Sequence, residues 1–350
     1  MQARRVSLVA LAVLSWTALA TAAAPLKEWN VKKPPGPGRL FPPGAETVKV
    51  YVSDESGELI QAAGFDGAED MASFYGFWTR VPNGVQDLFT AASKDAVQAL
   101  GMQWGAEGMV VSVAIRGYRI QAARRTSGPY HFFGYIRLQT MLRSGDGQDL
   151  RSADYRIADY CSGNGPDEAI SGFFTRAAWQ ATAQILLAFF PRATDPEAVG
   201  RLAAGLDSPD PAVRARSAFW LGIVGGNDAG ERLLTALRKE TDLAAFGQIA
   251  AALASIGSPA AREEVASMLS GSAKEKGRDP SKPEEAWVLL DSMALFGDKE
   301  ISSKTPPVRE WRNRLSDLAR FVSSGDLPVM SPAEAEARKA SLEWITGKKK

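Results

Sequence analysis

An α+β domain followed by an all-α repeat half is the fold class that three observations in this 350-residue chain predict. Apolar residues alternate with period two from Val48 to Val52, Val111 to Ile115 and Ile136 to Leu142, as in strands that bury one face. Two stretches with apolar residues three and four apart read as helices able to cover that face. Beyond residue 200 the alternation stops, and the chain aligns with itself at an offset of 32. A composition of 45% apolar and 23% charged residues is a soluble globular balance, in a chain long enough for two cores. Forty-one Lys and Arg stand against 40 Asp and Glu, a formal charge of +1, so the charge balance does not point to a nucleic-acid partner.

Taken in order, residues 1–24 read as a secretory signal peptide. Arg4 and Arg5 precede the apolar run Val6 to Ala20, and small residues offer cleavage after Ala20 or Ala22. The run is shorter than the roughly 20 residues that span a bilayer. No cysteine lies near the cleavage sites, so the expectation is an exported chain, periplasmic or secreted, without a lipid anchor. Residues 25–45 form a Pro-rich linker in which Pro34, Pro35, Pro37, Pro42 and Pro43 exclude helix and ladder, predicting an extended tether.

Residues 46–190 are expected to make a small, mostly antiparallel sheet with two helices. Thr47 opens a first strand, and a helix follows with Val85, Leu88, Phe89, Ala92, Ala96 and Leu100 inward, stopping at Gly101. Strands are predicted from Met109 to Ile120, Phe132 to Arg143 and Leu150 to Tyr160, the last two joined by the hairpin signal Ser144-Gly145-Asp146-Gly147-Gln148. Pro166 to Phe189 reads as the second helix, with Asp167 and Glu168 in its first turn and Ile170, Phe173, Phe174, Ala177, Ala181, Ile185 and Phe189 inward. The order is strand, helix, three strands, helix. It resembles the small α/β domain of bacterial envelope proteins such as the ABC-type transport auxiliary lipoproteins and the amino-terminal domain of the Tol-Pal translocation protein. That resemblance implies a place beside an envelope transport or assembly machine, and the chain departs from it in lacking the lipid-anchoring cysteine.

Residues 195–325 carry the repeat. At the offset of 32, Ser217, Leu221, Val224 and Gly225 meet Ile249, Leu253, Ile256 and Gly257, while Leu233 and Leu237 meet Val265 and Leu269. A third copy follows at 40, through Leu289, Met293, Phe296 and Gly297, the extra residues falling in the insert from Gly271 to Pro283. Spacing of i, i+4, i+7 puts each set on one helix face, and each following glycine predicts a left-handed cap. The run Asp207-Ser208-Pro209-Asp210-Pro211-Ala212-Val213-Arg214, with Leu221-Gly222 and Val224-Gly225, resembles the HEAT-like repeats of the bilin lyase type. The resemblance implies a solenoid in which Asp210 starts a helix and Arg214 makes an inter-repeat contact. The later copies have Ala245-Phe246 and Glu285-Ala286 where valine and arginine would stand, so a regular Asp-Arg ladder is not implied. Residues 306–322 read as a closing helix, and residues 326–350 as a C-terminal helix opened by Ser331-Pro332-Ala333-Glu334 and ended by the basic tail Lys348-Lys349-Lys350.

Candidate chemistry is sparse. His131 is the one histidine and Cys161 the one cysteine, which excludes histidine triads, multi-histidine metal sites and the common zinc clusters, as well as an internal disulfide. No phosphate-cradling motif occurs, and the glycine-bearing loops at 64–67 and 163–165 lack its context. No cofactor or metal is expected. The acid pairs Asp54 with Glu55 and Glu69 with Asp70 are the residues acid–base work could use, and solvated loop carboxylates are the plainer reading. The best candidate contact surface is the aromatic cluster Phe74, Tyr75, Phe77 and Trp78, which either plugs the sheet's open face or meets a partner. Tyr130, His131, Phe132 and Phe133 invite the same two readings.

Two functions follow as expectations. One is a non-enzymatic cell-envelope adaptor or scaffold that meets a protein partner through the repeat surface. The other is an auxiliary component or carrier that holds a lipid or other apolar ligand between the sheet and the aromatic loop. Peripheral association with the envelope through the terminal lysines is weighed against an ordinary solvated tail.

Overall fold

The computed structural model describes residues 27–28, 33–55, 62–63, 79–80, 84–123, 130–163, 166–191, 194–225, 228–269, 278 and 283–296, with the backbone alone at 27–28, 62–63, 79–80, 84, 119–123, 130–133, 161–163, 166–167, 169, 283–284, 286–287, 290 and 294. The expected signal peptide, the closing helix at 306–322 and everything beyond lie outside the described residues. The strands are β1 Lys27–Glu28, β2 Thr47–Asp54, β3 Ala62–Ala63, β4 Thr79–Arg80, β5 Gln103–Trp104, β6 Met109–Ala123, β7 Tyr130–Arg143 and β8 Asp149–Gly163. The helices are α1 Gly84–Ala99, α2 Pro166–Phe189, α3 Pro196–Gly205, α4 Pro211–Val224, α5 Ala229–Lys239, α6 Leu243–Ser255, α7 Pro259–Leu269 and α8 Pro283–Leu295. The chain is therefore a mixed α/β protein with a helical C-terminal part.

The main sheet runs β5-β2-β6-β7-β8, with the short β3 alongside β6. Strands β6, β7 and β8 form the antiparallel meander that the alternation predicts, while β2 lies parallel to both β5 and β6. Parallel pairing of β2 with β6 follows from α1 lying between them in sequence, because a crossover returns the chain in the same direction. Val50, Val111 and Leu142 form one cross-strand row and Ile115 with Leu138 another, all buried on the helix-covered face. Every residue expected inward on α1 is buried there. On α2 the same holds from Ile170 to Ile185, but Phe189 does not turn inward. It sits at the exposed helix end and stacks edge-on with Phe190, ring centroids 4.7 Å apart.

The Pro-rich segment carries no helix or strand from residue 33 to 46, yet it is no free tether. Leu40 and Phe41 are buried in the core, and both amides donate to the Ala99 carbonyl at the end of α1. Lys33 pairs with Asp95 on the same helix. Further along, the Leu40 carbonyl accepts from the Asp195 amide at 3.1 Å, so one strap ties α1 to the start of the helical part.

Among the described residues, three contacts stand out where that helical part meets the sheet and its helices, and α8 touches β8 as well. Trp179 of α2 packs against Phe219 and Trp220 of α4, at 5.8 and 5.5 Å between centroids. Gly247 of α6 lies flat against the Tyr160 ring of β8, so close that any added Cβ would overlap the ring. The strap is the third. Within the helical part α4 packs on α6, and α6 on α8, so elements a repeat length apart are neighbours. The cap glycines differ from expectation. Gly257 is left-handed, with φ +69°, whereas Gly225 is helical at φ −80° and its N–H simply donates to Leu221 O. Gly297 lies outside the described residues.

Candidate functional site

Polar groups converge where α4, α5, α6 and α8 meet. Asp210 caps α4, accepting from the Ala212 amide at 2.9 Å, with Pro211 at the first helical position. One turn on, Arg214 reaches Glu240, just past the end of α5. Its Nε and Nη2 donate to the two carboxylate oxygens at 2.7 Å each, a bidentate pair. Arg214 Nη1 also donates to the carbonyls of Ser208 and Pro209, closing the preceding turn. Glu240 accepts in addition from the Asp242 amide, and Asp242 caps α6 by accepting from the Ala245 amide, both at 2.8 Å. One ion pair thus orders two helix starts and one helix end.

The Glu240 side chain keeps 2% of its surface exposed against 16% for Arg214. Burial by itself pushes the Glu240 carboxyl up, but the Arg214 hydrogen bonds and the amides of Asp242 and Thr241 outweigh it and hold the group below the ordinary glutamate value. Arg214 is raised in turn, chiefly by the same hydrogen bonds.

Arg278 closes the arrangement from the insert between α7 and α8. Its guanidinium donates to the carbonyls of Glu240, Thr241 and Asp242, between 2.9 and 3.1 Å, and lies over the Phe246 ring at 4.9 Å. Carbonyls left over at the end of a helix suit a cation, and the aromatic face adds a second attraction. Burial lowers its affinity for the proton, and Glu285, Glu240 and Asp242 oppose that. Beside it opens a cleft of ≈ 220 Å³ with Leu237, Phe246 and Met268 as an apolar floor and Arg238, Arg278 and Glu285 on the rim. Arg238 is steadied there by Glu264 at 2.7 Å. Chemically, the cleft can grip a small amphipathic group, an apolar side chain flanked by charge or amide, with the Thr241 hydroxyl also in its lining. A second, more apolar hollow of ≈ 330 Å³ lies near the junction, lined by Pro196, Val199 and Val224.

The aromatic cluster Phe74, Tyr75, Phe77 and Trp78 lies outside the described residues, as do Glu69, Asp70 and the loop at 64–67. Tyr130 to Phe133 fall on β7 in register with Gly163 to Tyr160, which sets Phe132 opposite Cys161. Glu55 is tied to Arg116 and to the Ser53 hydroxyl on the sheet face opposite α1, the behaviour of a surface carboxylate. Arg214 and Asp210 hold the helix-start and inter-helix positions expected of them. Missed from sequence were Glu240 and Arg278. Arg278 stands in a Gly-, Lys- and Pro-rich insert with no period to assign it a face, and Glu240 follows a helix with nothing in spacing to mark it as a partner. Among the described residues no group of three His, Cys, Asp or Glu side chains could hold a metal ion.

No family model matches the chain, and no curated protein matches it. Among solved structures, it is similar to the crystal structure of protein XCC0632 from Xanthomonas campestris, described with the family model DUF330. That likeness is 13% identical, covers 47% of this chain and 95% of that one, and has a TM-score of 0.30.

Proposed function

We propose that the chain is an exported, non-enzymatic cell-envelope adaptor whose helical part, a HEAT-like solenoid, binds a protein partner. The observation that carries this reading is the cleft of ≈ 220 Å³ at the inter-helix turns, with an apolar floor and charges of both signs on its rim. Its walls are held by the buried Arg214–Glu240 pair and by Arg278, so the surface is set before a partner arrives. Stacked helix pairs build extended surfaces of this kind, with inter-helix turns along one side. The alternative, a carrier that holds an apolar ligand between the sheet and the aromatic loop at Phe74 to Trp78, has on the described sheet face Lys49, Arg116, Gln139 and Arg156, a poor lining for an acyl chain, while Tyr135 and Tyr160 on that face are already buried.

The test is affinity capture after crosslinking in intact cells, with the native chain beside a variant whose rim charges are reversed by Arg238→Glu and Glu285→Lys. The adaptor reading expects a defined protein with the native chain and its loss with the variant, which keeps the native circular dichroism spectrum although the Arg238–Glu264 pair is broken and its melting temperature falls. Equal recovery with both chains would refute it.

A further inference from the structure

The hollow of ≈ 330 Å³ near the junction lies apart from the partner cleft and is built differently. Pro196, Val199 and Gly200 of α3 line it together with Val224 at the end of α4, Thr194 and Arg232 of α5. Arg232 is the one ionisable residue in that lining. Its guanidinium is exposed and takes part in no ion pair or hydrogen bond among the described residues, although Asp228 stands one turn earlier on the same helix. The arginines of the partner cleft differ in this respect: Arg238 is held by Glu264 and Arg278 by backbone carbonyls.

Gly200 carries a second, independent sign. It sits in the interior of α3, where glycine weakens a helix relative to alanine, and it has no positive φ to require it. At Gly205 and Gly222 an added Cβ would crowd Ser217 and Ala252, so close packing of helices accounts for those glycines. At Gly200 it would meet nothing within 4 Å. What the missing side chain preserves is the space of the hollow.

One water takes about 30 Å³ of the liquid, so a ligand of about ten non-hydrogen atoms fills that space. Walls of proline and valine hold water poorly, and an apolar chain displaces it with gain. The unpaired guanidinium calls for an anion, best a carboxylate, whose two oxygens match its fork. A peptide end would bring amide groups as well, and beyond the Thr194 hydroxyl the side chains of the hollow leave those unpaired.

We propose that the hollow binds a free medium-chain acyl carboxylate, its chain against Pro196, Val199 and Val224 and its carboxylate on Arg232. This is a small-ligand site separate from the partner cleft. Its occupant joins α3 to α5 beside the Asp195–Leu40 hydrogen bond, where the strap meets the helical part.

The experiment is isothermal titration calorimetry of the full chain with octanoate, with octylamine and acetyl-glycyl-leucine as comparisons. The proposal expects one octanoate per chain with a Kd on the order of 1 mM or below, weakening as salt rises. Octylamine is expected to give no saturable heat, and acetyl-glycyl-leucine to bind more weakly than octanoate. Arg232→Gln should weaken octanoate about tenfold, while Lys239→Gln, a charge-matched change on the same helix outside the lining, keeps the native affinity. Gly200→Leu fills the space with a good helix former, so it should abolish binding without lowering the melting temperature. No saturable binding, equal affinity for octylamine, binding that survives Arg232→Gln or Gly200→Leu, equal loss in Lys239→Gln, or tighter binding of acetyl-glycyl-leucine would overturn the proposal, the last assigning the hollow to a protein C-terminus.

Discussion

Replacing Arg214 by methionine isolates the joint on which the helical part turns. The change keeps an unbranched stem but removes four hydrogen bonds, two to Glu240 and two to the Ser208 and Pro209 carbonyls. Glu240 is left with the amides of Asp242 and Thr241 inside a nearly closed site. Removing one partner of a buried pair costs ~3–5 kcal/mol, and the partial exposure of Arg214 argues for the lower end, about 3 kcal/mol. For a cooperative unit of this size that is a fall of about 6 °C or more in melting temperature.

The pH dependence follows from the direction of the Glu240 shift. Its folded value lies below its unfolded one, so the native pair stabilises above the ordinary glutamate value, about 4.3, and loses that contribution as pH falls through the lower folded value. In the variant, burial without the arginine raises Glu240 instead, and stability is then lost as pH rises through that raised value. The gap between the two proteins is accordingly widest near neutrality and narrows under acid. Thermal melts monitored by circular dichroism at a series of pH values measure it. A gap under about 1 kcal/mol at neutral pH, or one that stays constant into acid, would contradict the buried-pair reasoning.

Three further outcomes are expected. Gly247→Ala drives a methyl group into the Tyr160 ring and should destabilise by about 2 kcal/mol, with Tyr160→Ala in the same chain costing less than the two changes summed; additive losses would place the contact elsewhere. Trp220→Ala empties the fully buried centre of the Trp179, Phe219 and Trp220 cluster, for a loss of roughly 3–5 kcal/mol by denaturant titration and a change in tryptophan fluorescence. Arg176→Met uncovers Asp159, whose carboxyl burial already pushes up against the pull of Arg176; the variant should be least stable at neutral pH and recover as Asp159 takes up a proton in acid, and flat stability across that range would count against it.

The sheet was legible because its rows are binary: each residue from Leu138 to Leu142 is either under a helix or facing out, and period two records that choice directly. Helices α1 and α2 were equally plain until Phe189, where the pattern continues one turn past the sheet it covers. Composition misled at the strap, since prolines forbid regular structure without forbidding burial, and Leu40 with Phe41 anchors it. Glycine at 225 and 257 looked alike in sequence, but only Gly257 needs the left-handed region. The cleft was least legible. Its key groups, Glu240 and Arg278, lie 38 residues apart outside any repeat, and a cation that binds carbonyl oxygens leaves no periodic trace.

The adaptor reading stands most directly on who meets the helical cleft in the cell. A photo-crosslinking amino acid placed at Arg238 or Glu285, and at Lys94 on α1 for comparison, followed by mass spectrometry of the adducts, answers that. The account predicts the same single protein from both rim positions and none from Lys94. Adducts from Lys94 alone, or from all three positions alike, would contradict it.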